Sequence, residues 1–269
     1  MEREIEVGGV PTHVHETGDG PTVLLLHGSG PGVSAWANWR LVLPALAGSF
    51  HVVAHDQLGF GRTGRPADGR YGRAAWTRHA LALVDALGIE RLHVVGNSMG
   101  GAIALSMAAE RPELVERLVL MGTTGVGFEL PPGLDQVWGY EPGFEQMRRL
   151  VKLFAYDDDA VATDDLVTLR YETSLEPRTR ESYEAMFPAP RQRWVDDLAL
   201  DAATLRSIVQ PTLLIHGYED EVIPFAASSL KALDLLPNAE LHAFRNCGHW
   251  VQIEQTQRFT RVLADFLEA

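Results

Sequence analysis

Cysteine is almost absent, with Cys247 the single example in 269 residues. One thiol excludes an internal disulfide and any multi-cysteine zinc or iron–sulfur site. Lysine is nearly as scarce: Lys152 and Lys231 are the only two, so Schiff-base chemistry has few candidates. Long apolar runs are missing, and Val23-Leu24-Leu25-Leu26 is far too short to cross a bilayer. Met1-Glu2-Arg3-Glu4 offers neither the basic start nor the apolar core of a signal peptide. Basic residues are outnumbered, 23 Lys and Arg against 36 Asp and Glu, for a net charge of −13. Such a surface repels phosphate backbones and argues against nucleic acid as a partner. The expectation is a soluble, cytoplasmic protein without a membrane contact. What is present suffices for a sizeable core: 46% of residues are hydrophobic and 22% charged, which is too mixed for disorder. The length suits one large domain, or one domain carrying an insertion.

Short apolar segments alternate with helical ones. Residues 5–14 read as a hairpin around Gly8-Gly9, and 22–26, 51–54, 92–95 and 118–121 read as buried strands. Between them, 74–87 has helical periodicity with Ala80, Leu83, Val84 and Leu87 on one face, and 101–110 is a small-residue helix stopping before Pro112. The alternation lapses over 126–197, where helical stretches at 144–154 and 165–171 stand among Pro, aromatic and charged residues. It returns with a strand at 212–215, a helix at 226–236, a strand at 240–244 and an amphipathic helix at 257–267. This predicts an α/β domain, residues 1–125 and 198–269, with a mostly parallel sheet covered on both faces. A helical insertion, 126–197, enters after the fourth apolar strand. Asp157-Asp158-Asp159 reads as a solvated turn or helix start.

Gly96-Asn97-Ser98-Met99-Gly100 lies between a predicted strand and a predicted helix. This is the nucleophile-elbow pattern, in which a tight turn lifts a serine hydroxyl out of the top of a sheet. The hydroxyl needs a base, and the base an orienting acid, further along the chain. Asp220 follows the strand at 212–215 and His249 follows the strand at 240–244, both at the strand ends where open α/β sheets place their sites. Glu219 is the rival acid. The remaining histidines are read as packed structural residues; His13 and His15 share a strand face, but two ligands do not make a metal site. The loop His27-Gly28-Ser29-Gly30-Pro31-Gly32 is placed to supply the backbone N–H of Ser29 to an oxyanion hole, beside that of Met99. Gly59-Phe60-Gly61-Arg62-Thr63-Gly64 fits a dinucleotide fingerprint, yet loop residues follow it where that motif requires a helix. Cys247, next to His249, reads as packing.

These motifs, with Ala35-Trp36-Ala37-Asn38-Trp39-Arg40, Val137-Trp138-Gly139-Tyr140, Phe187-Pro188-Ala189-Pro190-Arg191-Gln192-Arg193-Trp194 and Cys247-Gly248-His249-Trp250, resemble the meta-cleavage product hydrolases of the α/β-hydrolase superfamily. The likeness runs over nearly the whole chain. Its lid segments resemble the branch acting on 2-hydroxymuconate semialdehyde and its 6-alkyl ketone relatives more than the biphenyl branch. That branch usually has arginine where Tyr218 stands and a small residue near Thr124, which leaves the preferred C6 group open.

The resemblance implies hydrolysis of the C5–C6 bond of 2-hydroxy-6-oxohexa-2,4-dienoates, without metal or cofactor. It places Ser98, Asp220 and His249 in the triad. It carries Arg170 and Asn38 to the substrate's carboxylate and 2-oxo group, with Asn97 and Trp250 beside them, and Trp138, Thr124 and Ile223 around the C6 substituent. Read without it, Arg170 is a surface arginine paired with Glu172 or Asp165. Whether Arg191 or Arg193 faces inward stays open, as does a serine-assisted direct attack by water in place of an acyl-enzyme. A homodimer or higher homo-oligomer is compatible with the family. The rival readings are an esterase or lactonase on the same triad and a hydrolase-fold ligand receptor; Ser98 disfavours dehalogenases and epoxide hydrolases, which carry Asp at the elbow.

Overall fold

Eight strands build one sheet: β1 (Glu2–Val7), β2 (Val10–Thr17), β3 (Thr22–Leu26), β4 (His51–His55), β5 (Leu92–Asn97), β6 (Val115–Met121), β7 (Thr212–Gly217) and β8 (Ala239–Phe244). Their order is β1-β2-β4-β3-β5-β6-β7-β8. The pairs β1–β2 and β2–β4 are antiparallel and all others parallel. The structure, a computed structural model, describes the backbone of all 269 residues and the side chains of all but Asp158 and Asp159. The expectation of a solvated carboxylate turn at 157–159 therefore lies outside the described residues, apart from Asp157, which is exposed.

The β1–β2 hairpin turns on Gly8 and Gly9, whose φ angles are +55° and +84°. A two-residue hairpin of this hand needs both central residues left-handed, a region side chains disfavour. Along the parallel strands, neighbouring side chains leave on opposite faces. Val23, Leu25, Val95, Val119, Met121, Leu213 and Ile215 join one core. Leu24, Leu26, Val94, Leu118, Leu120 and Leu214 join the other. Two covered faces explain why these strands read as unbroken apolar runs. Helices Arg73–Ala86 and Met99–Glu110 cover one face; Ala35–Trp39, Leu43–Leu46 and Thr256–Glu268 cover the other. Leu24 and Leu25 are essentially sealed from solvent, and truncating either to alanine should cost about 2–5 kcal/mol.

Between β6 and β7 the chain forms helices and, among the described residues, no strand. Helix Phe144–Phe154 has the expected bounds, and the helix expected at 165–171 runs over Asp164–Leu175. Pro132–Trp138, Pro177–Met186 and Gln192–Leu198 are additional. Pro132 and Pro177 stand in first turns, where a missing N–H costs nothing. Pro177–Met186 buries only Ser182, Tyr183 and Met186, so it lacks the apolar stripe that reveals a helix in sequence. The helix expected at 226–236 is shorter, Ser229–Leu235. Residues 59–64 form turns with Gly59 and Gly61 at φ +84° and +50°, and the next helix starts only at Arg73. Among the described residues no helix is long and apolar enough to cross a membrane.

Candidate active site

Strand β5 is buried along its whole length and delivers Ser98 to its C-terminal tip. Ser98 has φ +55° and ψ −117°, a conformation that a residue with a side chain holds only when its surroundings enforce it. The enforcement comes from backbones too close for side chains. A Cβ on Gly96 would lie 2.3 Å from the carbonyl oxygen of Gly100, and one on Gly100 would lie 2.3 Å from that of Leu26. The Ser98 N–H donates to Met121 O at 2.7 Å, and Ser98 O accepts the N–H of Thr124 at 3.2 Å. Helix Met99–Glu110 begins immediately after, so its first N–H groups point at the serine with the positive end of the helix dipole.

Asp220 follows β7 in a turn whose N–H returns to Gly217 O at 3.2 Å. One carboxylate oxygen, Oδ1, accepts the backbone N–H groups of Val222 and Ile223, each at 2.8 Å. The other, Oδ2, accepts from His249 Nδ1 at 2.7 Å and from His216 Nε2 at 3.1 Å. Burial is the largest influence on this carboxyl and opposes ionisation, but His249 and His216 together outweigh it and hold Asp220 well below the usual carboxylate range. With Nδ1 donating to the acid, the opposite nitrogen of His249 is available as a base. Glu219 points elsewhere, pairing with Arg245 at 3.1 Å and accepting the Cys247 N–H at 3.3 Å. Cys247 is buried, and burial with the nearby Glu254 carboxylate pushes its thiol up, away from a nucleophilic thiolate.

Ser98 and His249 share one cavity with Ser29, Asn38, Asn97, Arg170 and Trp250. The walls stand close and leave room for about one water. Arg170 reaches it from helix Asp164–Leu175 and is 4% exposed. No carboxylate of the described residues pairs with it, and its Nε has no hydrogen-bond partner. The pairing with Asp165 or Glu172 is therefore not formed. Burial lowers the guanidinium to about 10, which leaves it charged at neutral pH. It lies 5.2 Å from the Trp250 ring centroid, and a Cβ on Gly30 would come within 3.1 Å of its Nη2. Asn38 Nδ2, also buried, has no partner either. A buried charge and a buried amide, both unpaired, are costly unless an oxygen-rich ligand meets them.

The profile of the α/β-hydrolase fold family matches residues 21–256. A 2-hydroxymuconate semialdehyde hydrolase of Pseudomonas sp. (strain CF600) is 53% identical over 265 residues, covering 98% of this chain and 93% of the relative. A 2-hydroxy-6-oxo-2,4-heptadienoate hydrolase of Pseudomonas putida is 49% identical over 267 residues, covering 99% and 96%. A solved meta-cleavage product hydrolase from Pseudomonas fluorescens superposes with a TM-score of 0.96 at 48% identity, covering 99% of this chain and 97% of that one. The chain belongs to the meta-cleavage product hydrolases of the α/β-hydrolase superfamily.

In this hydrolase, Met99, Thr124, Trp138 and Ile223 stand outside the cavity lining, as does Asp220 behind His249. Met99 is buried and can offer only its backbone N–H. The Thr124 hydroxyl donates to Ser98 O at 3.4 Å. Trp138 stands behind Ser29, donating from Nε1 to its Oγ at 2.9 Å, and stacks on Phe187 with centroids 4.6 Å apart. Ile223 is engaged through its backbone, with N–H to Asp220 and carbonyl to His216 Nε2 at 2.9 Å. The apolar lining instead comes from Val33, Leu134, Val137, Phe154 and Val222. Leu134 and Val137 sit three apart on helix Pro132–Trp138, a spacing visible in sequence only once that helix is recognised. Arg191 pairs with Asp135 at 3.1 Å and Arg193 donates to Pro188 O at 3.2 Å; neither lines the cavity. His13 lies between Asp56 at 2.9 Å and Glu2 at 2.8 Å.

Proposed function

We propose that this hydrolase cleaves the C5–C6 bond of 2-hydroxy-6-oxohexa-2,4-dienoates with water, releasing 2-hydroxypenta-2,4-dienoate and a carboxylic acid. The observation that carries this reading is the pair of buried, unpartnered donors, Arg170 and Asn38, in one cavity with Ser98 and His249. A neutral ester has no group that needs a buried guanidinium. A dienoate has a carboxylate and an adjacent oxygen, and the planar fork of arginine suits them. Trp250 and Asn97 flank this end, with the Trp250 ring against the guanidinium.

A carbon leaving group departs only if its electrons have a sink. Ketonisation at C2, with His249 carrying the proton, moves a proton to C5 and leaves a carbonyl at C2. Ser98 then attacks C6, giving up its proton to His249, while Asp220 steadies the imidazolium. The N–H groups of Ser29 and Met99 hold the C6 oxyanion. Collapse breaks C5–C6 and sends the electron pair towards the C2 oxygen, and water releases the acyl group from Ser98. Direct attack by water assisted by Ser98 gives the same products. The electron sink lies in the substrate, so the chemistry calls for no cofactor.

Residues 126–197 act in this reading as a lid over the core, 1–125 with 198–269. Leu134, Val137 and Val222 face the C6 substituent, with Trp138, Thr124 and Ile223 as the layer behind them. The protein works in the cytoplasm as a homodimer or higher homo-oligomer. A panel of dienoates with hydrogen, methyl, isopropyl and phenyl at C6, followed by loss of visible absorbance, tests the assignment. Hydrogen and methyl should give the highest kcat/KM, because the apolar walls stand close. A neutral ester turned over faster than every dienoate would replace this reading with a general esterase.

A further inference from the structure

Asp220 receives four donors, two on each oxygen. Two are backbone N–H groups and one is His249. The fourth, His216, belongs to β7 and is fully buried. Its Nε2 faces two oxygens, Asp220 Oδ2 at 3.1 Å and Ile223 O at 2.9 Å. Neither oxygen carries a proton when the acid is ionised, so Nε2 holds one in either charge state of the ring. Its Nδ1 meets Ser229 Oγ at 2.7 Å, and Phe225 packs edge-on at 5.5 Å between centroids. The ring thus has one orientation, and that orientation aims a proton at the oxygen that also holds His249.

We propose that His216 is a positioning residue for the catalytic acid, sharing Asp220 Oδ2 with His249 and setting how strongly that oxygen holds the base's proton. This rests on the reading of Ser98, His249 and Asp220 as the catalytic groups. A second donor draws charge from Oδ2. Without it, the carboxylate bonds the His249 imidazolium more tightly, and the free base forms only at higher pH. The same donor ties the turn carrying Asp220 to Ile223 O, fixing the carboxylate's direction. Other titratable groups near the acid are the Cys247 thiol and Glu219, on the adjoining loops.

The experiment compares His216→Gln, His216→Asn and His216→Leu by the pH profile of kcat/KM. Gln returns an N–H near the position of Nε2, Asn falls short of Asp220, and Leu supplies no donor. The substrate is whichever of the dienoates or neutral esters the wild type turns over, since the triad serves both. A failure of the dienoate reading is therefore seen separately, in the wild type. The acid limb should move up by about one pH unit in the Leu and Asn variants, with kcat down about tenfold or more, the scale of one charge-assisted hydrogen bond. Gln should stay within about threefold of wild type with its limb unmoved. If Leu fails to fold, the Gln–Asn contrast decides, with equal melting temperatures required of the two. Low-field proton NMR gives a second readout: the wild type should show resonances for both ring N–H groups on Asp220, and Gln should retain the His249 one. Equal losses in Gln and Asn with an unmoved acid limb would reduce His216 to packing and overturn the proposal.

Discussion

The carbonyl oxygen of Phe154 accepts the backbone N–H of His249 at 2.8 Å. The last residue of the inserted helix Phe144–Phe154 thereby touches the loop carrying His249, and its ring stacks on Trp250 with centroids 4.5 Å apart. Glu254 completes the link. One of its oxygens accepts the Gly248 N–H at 2.8 Å and the other the Tyr156 N–H at 2.7 Å. The inserted helix and the loop carrying His249 are therefore one hydrogen-bonded unit. Glu254→Gln turns one acceptor into a donor facing an N–H, and a lost hydrogen bond to a charged group costs about 1.5–3 kcal/mol. The variant should lose about tenfold in kcat/KM and be cut faster by protease near residue 156. Wild-type kinetics together with a wild-type digestion pattern would show that the link does not matter.

Ser98→Ala should lower kcat by roughly three orders of magnitude while leaving the melting temperature nearly unchanged. The hydroxyl stands at the sheet's tip, and the strained turn is held by glycine contacts at residues 96 and 100. Retention of more than about a tenth of wild-type kcat would remove Ser98 from the mechanism.

Arg170→Ala should cost at least about tenfold in kcat/KM on a dienoate and much less on a small neutral ester. Arg170→Lys should recover only part, because a point charge replaces a fork. The ester serves as the control for lid damage, which would depress both activities together. Equal losses on the two substrates would dissolve the clamp.

Acid should destabilise the fold through the buried histidines His55 and His79. Burial lowers His79 to about 4 and His55, at 5.9 Å between ring centroids, well below its ordinary value. Both regain that value on unfolding, so below about pH 6.5 the unfolded chain binds more protons than the folded one. Stability is then complete above that pH and lost as pH falls towards the folded values, by about 3 kcal/mol for His79 alone. His79→Gln, which can still meet the Thr12 hydroxyl, should flatten the fall in melting temperature between about pH 7 and about pH 4.5. An unchanged slope would assign the acid sensitivity to other groups.

Much of the site was legible because its signals are local. Gly96, Ser98 and Gly100 must be close in sequence for a strand to turn into a helix around a strained serine. Asp220 and His249 each follow an apolar strand that names itself. The inserted helices were less legible, since Pro177–Met186 buries only Ser182, Tyr183 and Met186 and carries no stripe. Arg170 and Asn38 came to the cavity by resemblance, not by pattern. His216 was passed over as a packed histidine, although it lies only four residues before the acid it supports.

The amino-acid sequence by itself determined the two-faced sheet, the tight turn at Ser98 and the strand-end places of Asp220 and His249, because unbroken apolar runs and close glycine contacts are properties of neighbouring residues. Only the tertiary structure decided what meets what across the cavity. It set Arg170 unpaired against Trp250, put Val222 rather than the Ile223 side chain in the wall, and gave one Asp220 oxygen two histidines. Those outcomes depend on the direction in which side chains leave elements far apart in the chain, and burial then makes every unpaired donor there costly enough to carry meaning.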